Sequence, residues 1–323
     1  SIQDLLYANM TVKQLQEEIL NLKNQNDVTI LAHYYQPIEI QEIADFLGDS
    51  LGLSRTVKEK ANTEYIIFAG VNFMAETASI INQDKHILIP NYESCCPMAA
   101  FLTPEMVREF KKKYDGIPAV VYVNSTAAVK AESNICCTSA NAVKIVKKIS
   151  QEFNVKAVLF GPDANLADYT EQISNIETIK MPEKGHCYVH SQITVEDIKT
   201  VKEKYPKAEL IVHPECIRGV RELADYVGST TGMYNYVKDN SSEVKEFIIG
   251  TEVGLLERMA QDFPDISFYL AKDRLICYNM KKHNLELIKY LLENLDDKAF
   301  EVKVPYEIAK RALKPIEKML DFS

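Results

Sequence analysis

Glycine and proline are scarce, 11 and 12 of 323 residues, which excludes a collagenous or low-complexity chain. Basic residues are outnumbered. The 37 Lys and Arg face 46 Asp and Glu, a formal net charge of −9, so no overall field draws the chain toward phosphate backbones or anionic lipid. Nucleic acid is therefore not an expected partner. No apolar run approaches the ~18 residues of a membrane span. Ser1 to Met10 also lacks the basic-then-apolar order of a signal peptide, so a cytoplasmic location without membrane association is expected. The nucleotide loops G-x-x-x-x-G-K-[ST] and G-x-G-x-x-G are absent. Seven cysteines, an odd number without a secretory signal, argue against a disulfide framework and for metal binding or catalysis.

What is present is a repeat. Three apolar strands run into polar ends: Ile30-Leu31-Ala32 into His33-Tyr34-Tyr35-Gln36, Val120-Val121 into Tyr122-Val123-Asn124-Ser125, and Ile211-Val212 into His213-Pro214-Glu215-Cys216, at spacings of 89 and 91. A helix-sized gap later come Gly48-Asp49-Ser50, Cys137-Thr138-Ser139 and Gly228-Ser229-Thr230, with the serines 89 and 90 apart. A second strand stops at Gly70, Gly161 and Gly250, and a short strand leads to Cys96, Cys187 and Cys277, 91 and 90 apart. A period of about 90 is too long for a solenoid unit. The expected fold is α/β: three homologous αβα domains, each with a small parallel sheet, in pseudo-threefold arrangement around a central site. The expected boundaries are 1–98, 99–189 and 190–283, followed by a helix-strand-helix extension over 284–323 with its strand at 300–304. A capping box at Thr11 to Gln14 and a Thr103-Pro104 start predict helix openings, with helices over 104–113, 140–152 and 195–204.

In parallel α/β sheets ligands bind beyond the carboxyl ends of strands, where the repeated polar residues fall. Three equivalent cysteines make a metal site, and thiolates favour zinc or iron-sulfur clusters. The chain has no C-x2-C pair, so a closed zinc site is poorly supported, whereas three cysteines without a fourth would leave one iron of a 4Fe-4S cluster open to substrate. Cys95, Cys136, Cys137 and Cys216 have no matching triplet and are expected to be buried packing residues. His33 and His213, beside Tyr35 and Glu215, suit proton transfer, with a helix-end charge as the other reading of Glu215. The hydroxyls of Ser50, Ser139, Ser229 and Thr230 suit N-caps, anion sites or both.

Leu31-Ala32-His33-Tyr34-Tyr35-Gln36, Gly48-Asp49-Ser50, Tyr122-Val123-Asn124-Ser125-Thr126, Thr138-Ser139-Ala140-Asn141, Gly185-His186-Cys187, Val212-His213-Pro214-Glu215 and Val227-Gly228-Ser229-Thr230 together resemble the quinolinate synthase family. The resemblance runs from about Val28 to the C-terminus and matches the short form, since Cys277 stands alone before Tyr278-Asn279-Met280. It implies three domains around a 4Fe-4S cluster held by Cys96, Cys187 and Cys277. The implied reaction joins iminoaspartate to dihydroxyacetone phosphate, giving quinolinate, phosphate and water, with the open iron as Lewis acid. It also implies substrate contacts from His33, Ser50, Tyr122, Val123, Asn124, Ser139, His213, Pro214, Glu215, Ser229 and Thr230. Tyr35 and Glu215, with His33, His213 and Tyr122, are the expected catalytic groups. An aspartate-oxidising enzyme supplying iminoaspartate is an expected partner. The competing classes are a zinc-dependent hydrolase and a non-catalytic metal-sensing module using the same thiols.

Overall fold

The computed structural model describes residues 7–323; the first six, part of the Ser1 to Met10 stretch read against a signal peptide, lie outside the described residues. Apolar runs buried on both faces form the central strands, as a parallel sheet covered by helices requires. Three four-stranded sheets result. The first holds β1 (Val28–His33), β2 (Phe46–Gly48), β3 (Tyr65–Ala69) and β4 (His86–Leu88). The second holds β5 (Ala119–Tyr122), β6 (Ile135–Cys137), β7 (Ala157–Gly161) and β8 (Glu177–Lys180). The third holds β9 (Glu209–Val212), β10 (Tyr226–Val227), β11 (Glu246–Gly250) and β12 (Ser267–Leu270). Each sheet runs second-first-third-fourth with parallel pairing, so the strand order reverses beside β1, β5 and β9. Ligand crevices form at such switch points. The three αβα domains expected from the repeat are present.

Side chains that spacing alone did not single out repeat with the strands. Asp45, Asn134 and Asp225 each precede the second strand and clasp the first: their backbone N–H groups donate to Ile30, Ala119 and Leu210 oxygens at 2.8, 3.0 and 2.8 Å. Their side-chain oxygens accept from the same residues' N–H at 2.8, 2.8 and 2.7 Å.

The backbone also corrects two alignments. Asn72, Ala164 and Val253, near the start of the helix after the third strand, donate to the carbonyls of Ser94, Gly185 and Leu275 at 2.7, 2.8 and 2.8 Å. This matches Cys96 with Cys187 and Cys277, but it matches Gly70 with Pro162 and Thr251 rather than with Gly161 and Gly250. Likewise the pairs Leu31↔Phe46, Val120↔Ile135 and Ile211↔Tyr226 match Ser50 with Ser139 and Thr230, and Asp49 with Thr138 and Ser229. The serine triplet was one residue out in the third repeat.

The chain forms two compact units. One contains the described residues up to Cys96 together with Cys277–Tyr306, the other Pro97–Ile276 together with Glu307–Ser323. In the first, Leu15 and Ile19 of the helix Val12–Asn26 pack on Ile288, Leu291 and Leu292 of the helix Leu285–Glu293, over Ile30 and Ala32 of β1. The Thr11 capping box is formed. In the second unit, Val107, Val121, Val129, Leu159 and Met181 make one apolar cluster. The helices Pro104–Lys113 and Val195–Lys204 fall where predicted, and the one expected over 140–152 is Ala142–Phe153. The expected strand at 300–304 is a 3-10 turn, Lys298–Phe300, followed by the single antiparallel bridge Leu88↔Glu301. The bridge is closed by the Val302 N–H on the Ile87 carbonyl at 2.8 Å and the Ile89 N–H on the Phe300 carbonyl at 2.9 Å. No helix among the described residues is long and apolar enough to cross a membrane.

Candidate active site

In the second unit β5 ends at Tyr122 and β9 ends one residue before His213, which places both beyond carboxyl strand ends. The turn His213 to Cys216 is closed by the Cys216 N–H donating to the His213 carbonyl at 3.0 Å. Within it the Glu215 N–H donates to His213 Nδ1 at 3.1 Å. Nδ1 is thus the acceptor within the turn, and Nε2 carries a ring proton. The first unit repeats this geometry: Tyr35 N–H donates to His33 Nδ1 at 3.0 Å, and the two rings meet edge to face at 4.4 Å.

Glu215 is buried among donors. The Tyr122 hydroxyl donates to its Oε1, and His190 Nδ1 lies 2.8 Å from its Oε2. Burial opposes ionisation, but the imidazoles of His213 and His190 and the Tyr122 hydroxyl outweigh it and hold the carboxyl below its ordinary range. His190 stacks on His213 with ring centres 4.4 Å apart and reaches Thr251 Oγ1 through Nε2 at 2.8 Å. A continuous buried line therefore runs Tyr122, Glu215, His190, Thr251.

Asp163 behaves oppositely. Its Oδ1 caps the helix Ala164–Ser174 by accepting the Leu166 N–H at 2.7 Å, while the buried Oδ2 has no hydrogen-bond partner among the described residues. Burial first, and the Glu215 charge second, push this carboxyl well above its ordinary range. The two carboxyls are thus pushed in opposite directions, which is how paired acid and base roles are set apart.

Sequence reading missed His190, Thr251 and Asp163. The signals were Cys187-Tyr188-Val189-His190, one helical turn, and the residues after the third strand, hidden by the one-residue misalignment at Gly70. Asn124 keeps its Oδ1 buried without a partner among the described residues, an acceptor that a ligand donor would satisfy. Val123 and Pro214 are buried, Val123 with its N–H on the Cys137 carbonyl at 2.9 Å.

Ser229 is an N-cap, its Oγ accepting the Gly232 N–H at 3.1 Å, and Thr230 opens that helix. Ser139 is not a cap: the helix opens at Ala142 after Asn141, whose side chain instead accepts the Thr138 N–H at 2.7 Å. Ser50 is the first helical residue and Asp49 the cap, with Oδ1 accepting Gly52 N–H at 3.0 Å. Gly48-Asp49-Ser50-Leu51-Gly52 has the Gly-x-Ser-x-Gly spacing of a hydrolase elbow, yet no hydrogen bond joins the Ser50 hydroxyl to a histidine among the described residues.

All seven cysteines are described and none is in a disulfide. Cys136, Cys137 and Cys216 are fully buried, and burial raises their thiols, Cys136 to about 11. Cys95 is exposed, against expectation, because it sits in the turn after Tyr92, itself exposed. Cys96, Cys187 and Cys277 are the three half-buried ones. Equivalent in the fold and partly exposed, they have the donor chemistry of a thiolate-held cluster. Cys96 and Cys277 belong to the first unit and Cys187 to the second. The 277–283 segment is tied to its unit by Gln36 Nε2 on the Met280 carbonyl at 2.8 Å and by Ser94 Oγ on the Asn279 carbonyl at 2.7 Å. Cys187 Sγ, a His190 ring nitrogen and a Glu215 carboxylate oxygen lie within 4.8 Å of one another, a group suited to a metal ion.

Residues 17–321 match the family model described as Quinolinate synthetase A protein. The chain is similar to the quinolinate synthase of Methanothermobacter thermautotrophicus, 47% identical over 312 residues covering 97% of this chain and 99% of that one. Those of Thermotoga maritima (45% over 305 residues, 94% and 98% covered) and Clostridium kluyveri (47% over 307 residues, 95% and 97% covered) are similar to it as well.

Proposed function

Because the chain belongs to the quinolinate synthase family, we propose that it condenses iminoaspartate with dihydroxyacetone phosphate to quinolinate, phosphate and water. In this reading one 4Fe-4S cluster takes one thiolate each from Cys96, Cys187 and Cys277. The observation that carries it is the equivalence of those cysteines, each two residues after the carbonyl that receives the Asn72, Ala164 or Val253 N–H. When bound, such a cluster leaves one iron for substrate and supplies Lewis acidity for hydroxyl departure without net electron transfer.

The chain's own residues do the rest. His33 and His213, their Nδ1 atoms engaged, offer Nε2–H to anionic substrate oxygens. Ser229 and Thr230, at a capped helix start, and Ser50 and Ser139 at the matching turns, add hydroxyl and N–H donors for carboxylate or phosphate. Asn124 Oδ1 accepts from a substrate N–H or O–H. In the second unit the Tyr122 oxygen takes a substrate proton while its own passes to Glu215 Oε1, and His190 holds Glu215 ionised until then. Tyr35, beside His33, is the matching acid–base group of the first unit. An aspartate-oxidising enzyme supplies iminoaspartate, and the reaction runs in the cytoplasm.

A second reading rests on Cys187, His190 and Glu215, whose sulfur, nitrogen and oxygen donors suit one zinc ion with a water in the fourth position. Anaerobic purification separates the two. A brown protein with about four iron and four sulfide per chain, forming quinolinate from both substrates, is expected. A colourless, air-stable, active zinc protein, or a full cluster retained in Cys187→Ser, would overturn the proposal.

A further inference from the structure

A buried donor stands behind each strand-end turn. Gln41, Lys130 and Arg221 lie in the short helices Ile38–Gln41, Ala127–Ala131 and Arg218–Arg221, and are only 3, 0 and 5% exposed. Each side chain reaches back five residues: Gln41 Nε2 to the Gln36 carbonyl at 3.0 Å, Lys130 Nζ to Ser125 at 2.6 Å, Arg221 Nη1 to Cys216 at 2.7 Å. These carbonyls fall between the end of the strand ladder and the start of a helix, where backbone partners run out. Side chains of different chemistry thus perform one task in three repeats. The neutral amide at position 41 shows that the shared requirement is a hydrogen-bond donor, because a buried charge alone would be costly. Arg221 does more, since its Nη2 also reaches Asp168 Oδ2 at 2.5 Å and Gln172 Oε1 at 3.0 Å, tying its turn to the helix Ala164–Ser174.

We propose that Gln41, Lys130 and Arg221 are positioning residues for the reaction. Each anchors the carbonyl of residue 36, 125 or 216, and so fixes the turn that carries His33 and Tyr35, Tyr122 and Asn124, or His213 and Glu215. The inference rests on the reading that these turns meet the substrates. It also explains why the turns keep their shape without belonging to strand or helix: one side chain from the following helix supplies the bond that the backbone lacks.

Lys130→Met removes the donor at similar volume, and Lys130→Gln restores one of the kind used at position 41. Hydrogen exchange of the purified full chain, followed on a peptide covering 122–126, tests the anchor without reference to turnover. Lys130→Met should exchange about tenfold faster there than the parent, with Lys130→Gln close to the parent. In the turnover assay kcat should fall about tenfold in Lys130→Met and recover in Lys130→Gln, with iron content unchanged. Unchanged exchange in Lys130→Met, or equal loss of protection in both variants, would overturn the proposal. A parent that makes no quinolinate refutes the functional reading instead, and the exchange comparison still decides the anchor. If Lys130→Met does not fold, Gln41→Met and Gln41→Lys, read on a peptide covering 33–37, give the same two outcomes in the first unit.

Discussion

Lowering the pH should weaken the first unit through His283. This ring is buried, with Nε2 2.6 Å from the Gly70 carbonyl oxygen and Nδ1 accepting the Asn91 N–H at 3.2 Å. Nδ1 accepts only when unprotonated, so the single proton sits on Nε2 and donates to Gly70. Burial drives the pKa from 6.5 down to about 4, with the bond to Gly70 pulling the other way. Between those values the unfolded chain binds a proton that the folded chain refuses, so stability falls as the pH drops through that window. At about 1.4 kcal/mol per pH unit the full loss is about 3 kcal/mol, reached near the lower value. His283→Gln offers one donor and one acceptor but does not titrate. It should cost about 1 kcal/mol at neutral pH and remove this part of the acid slope. Urea midpoints of parent and variant, measured anaerobically from about pH 7 to about pH 4, should converge and then cross. Parallel curves over that range would refute the assignment of a neutral, doubly bonded His283.

Gly185→Ala drives a Cβ into the Pro162 carbonyl oxygen, so the turn two residues before Cys187 must move; a loss of about 2 kcal/mol and reduced iron retention are expected, read by thermal melts and iron counts. Asp163→Asn should keep stability within about 0.5 kcal/mol, because a protonated carboxyl and an amide cap alike, whereas Asp163→Ala should lose about 1 kcal/mol; a large gain in Asp163→Asn would mean that the native group is charged. Tyr122→Phe should lower kcat by roughly 100-fold or more and the melting temperature by a few degrees, because buried Glu215 Oε1 loses its donor, and an unaltered kcat would remove Tyr122 from the proton path. Ser139 caps no helix, so Ser139→Asp should fold normally while its charge repels anionic substrates; unchanged KM for both would take Ser139 out of the anion site.

Periodic apolar runs, capping residues and a spacing of about 90 residues were enough for the three parallel-sheet domains, since strand alternation, helix caps and repeat length are properties of neighbouring residues along the chain. The same spacing picked out Cys96, Cys187 and Cys277 and the strand-end positions 33, 122 and 213. It slipped by one residue at Gly70 and at Ser229, because insertions in the loops shift the count while backbone hydrogen bonds keep the register. Nothing local announced that Asp163 would be pushed up while Glu215 was held down: one carboxyl is buried beside a negative charge, the other among two imidazoles and a phenol. His190, Thr251 and the donors Gln41, Lys130 and Arg221 were invisible for a related reason. Their meaning lies in which carbonyl or carboxylate the fold sets within about 3 Å of them, and that separation is decided by tertiary packing.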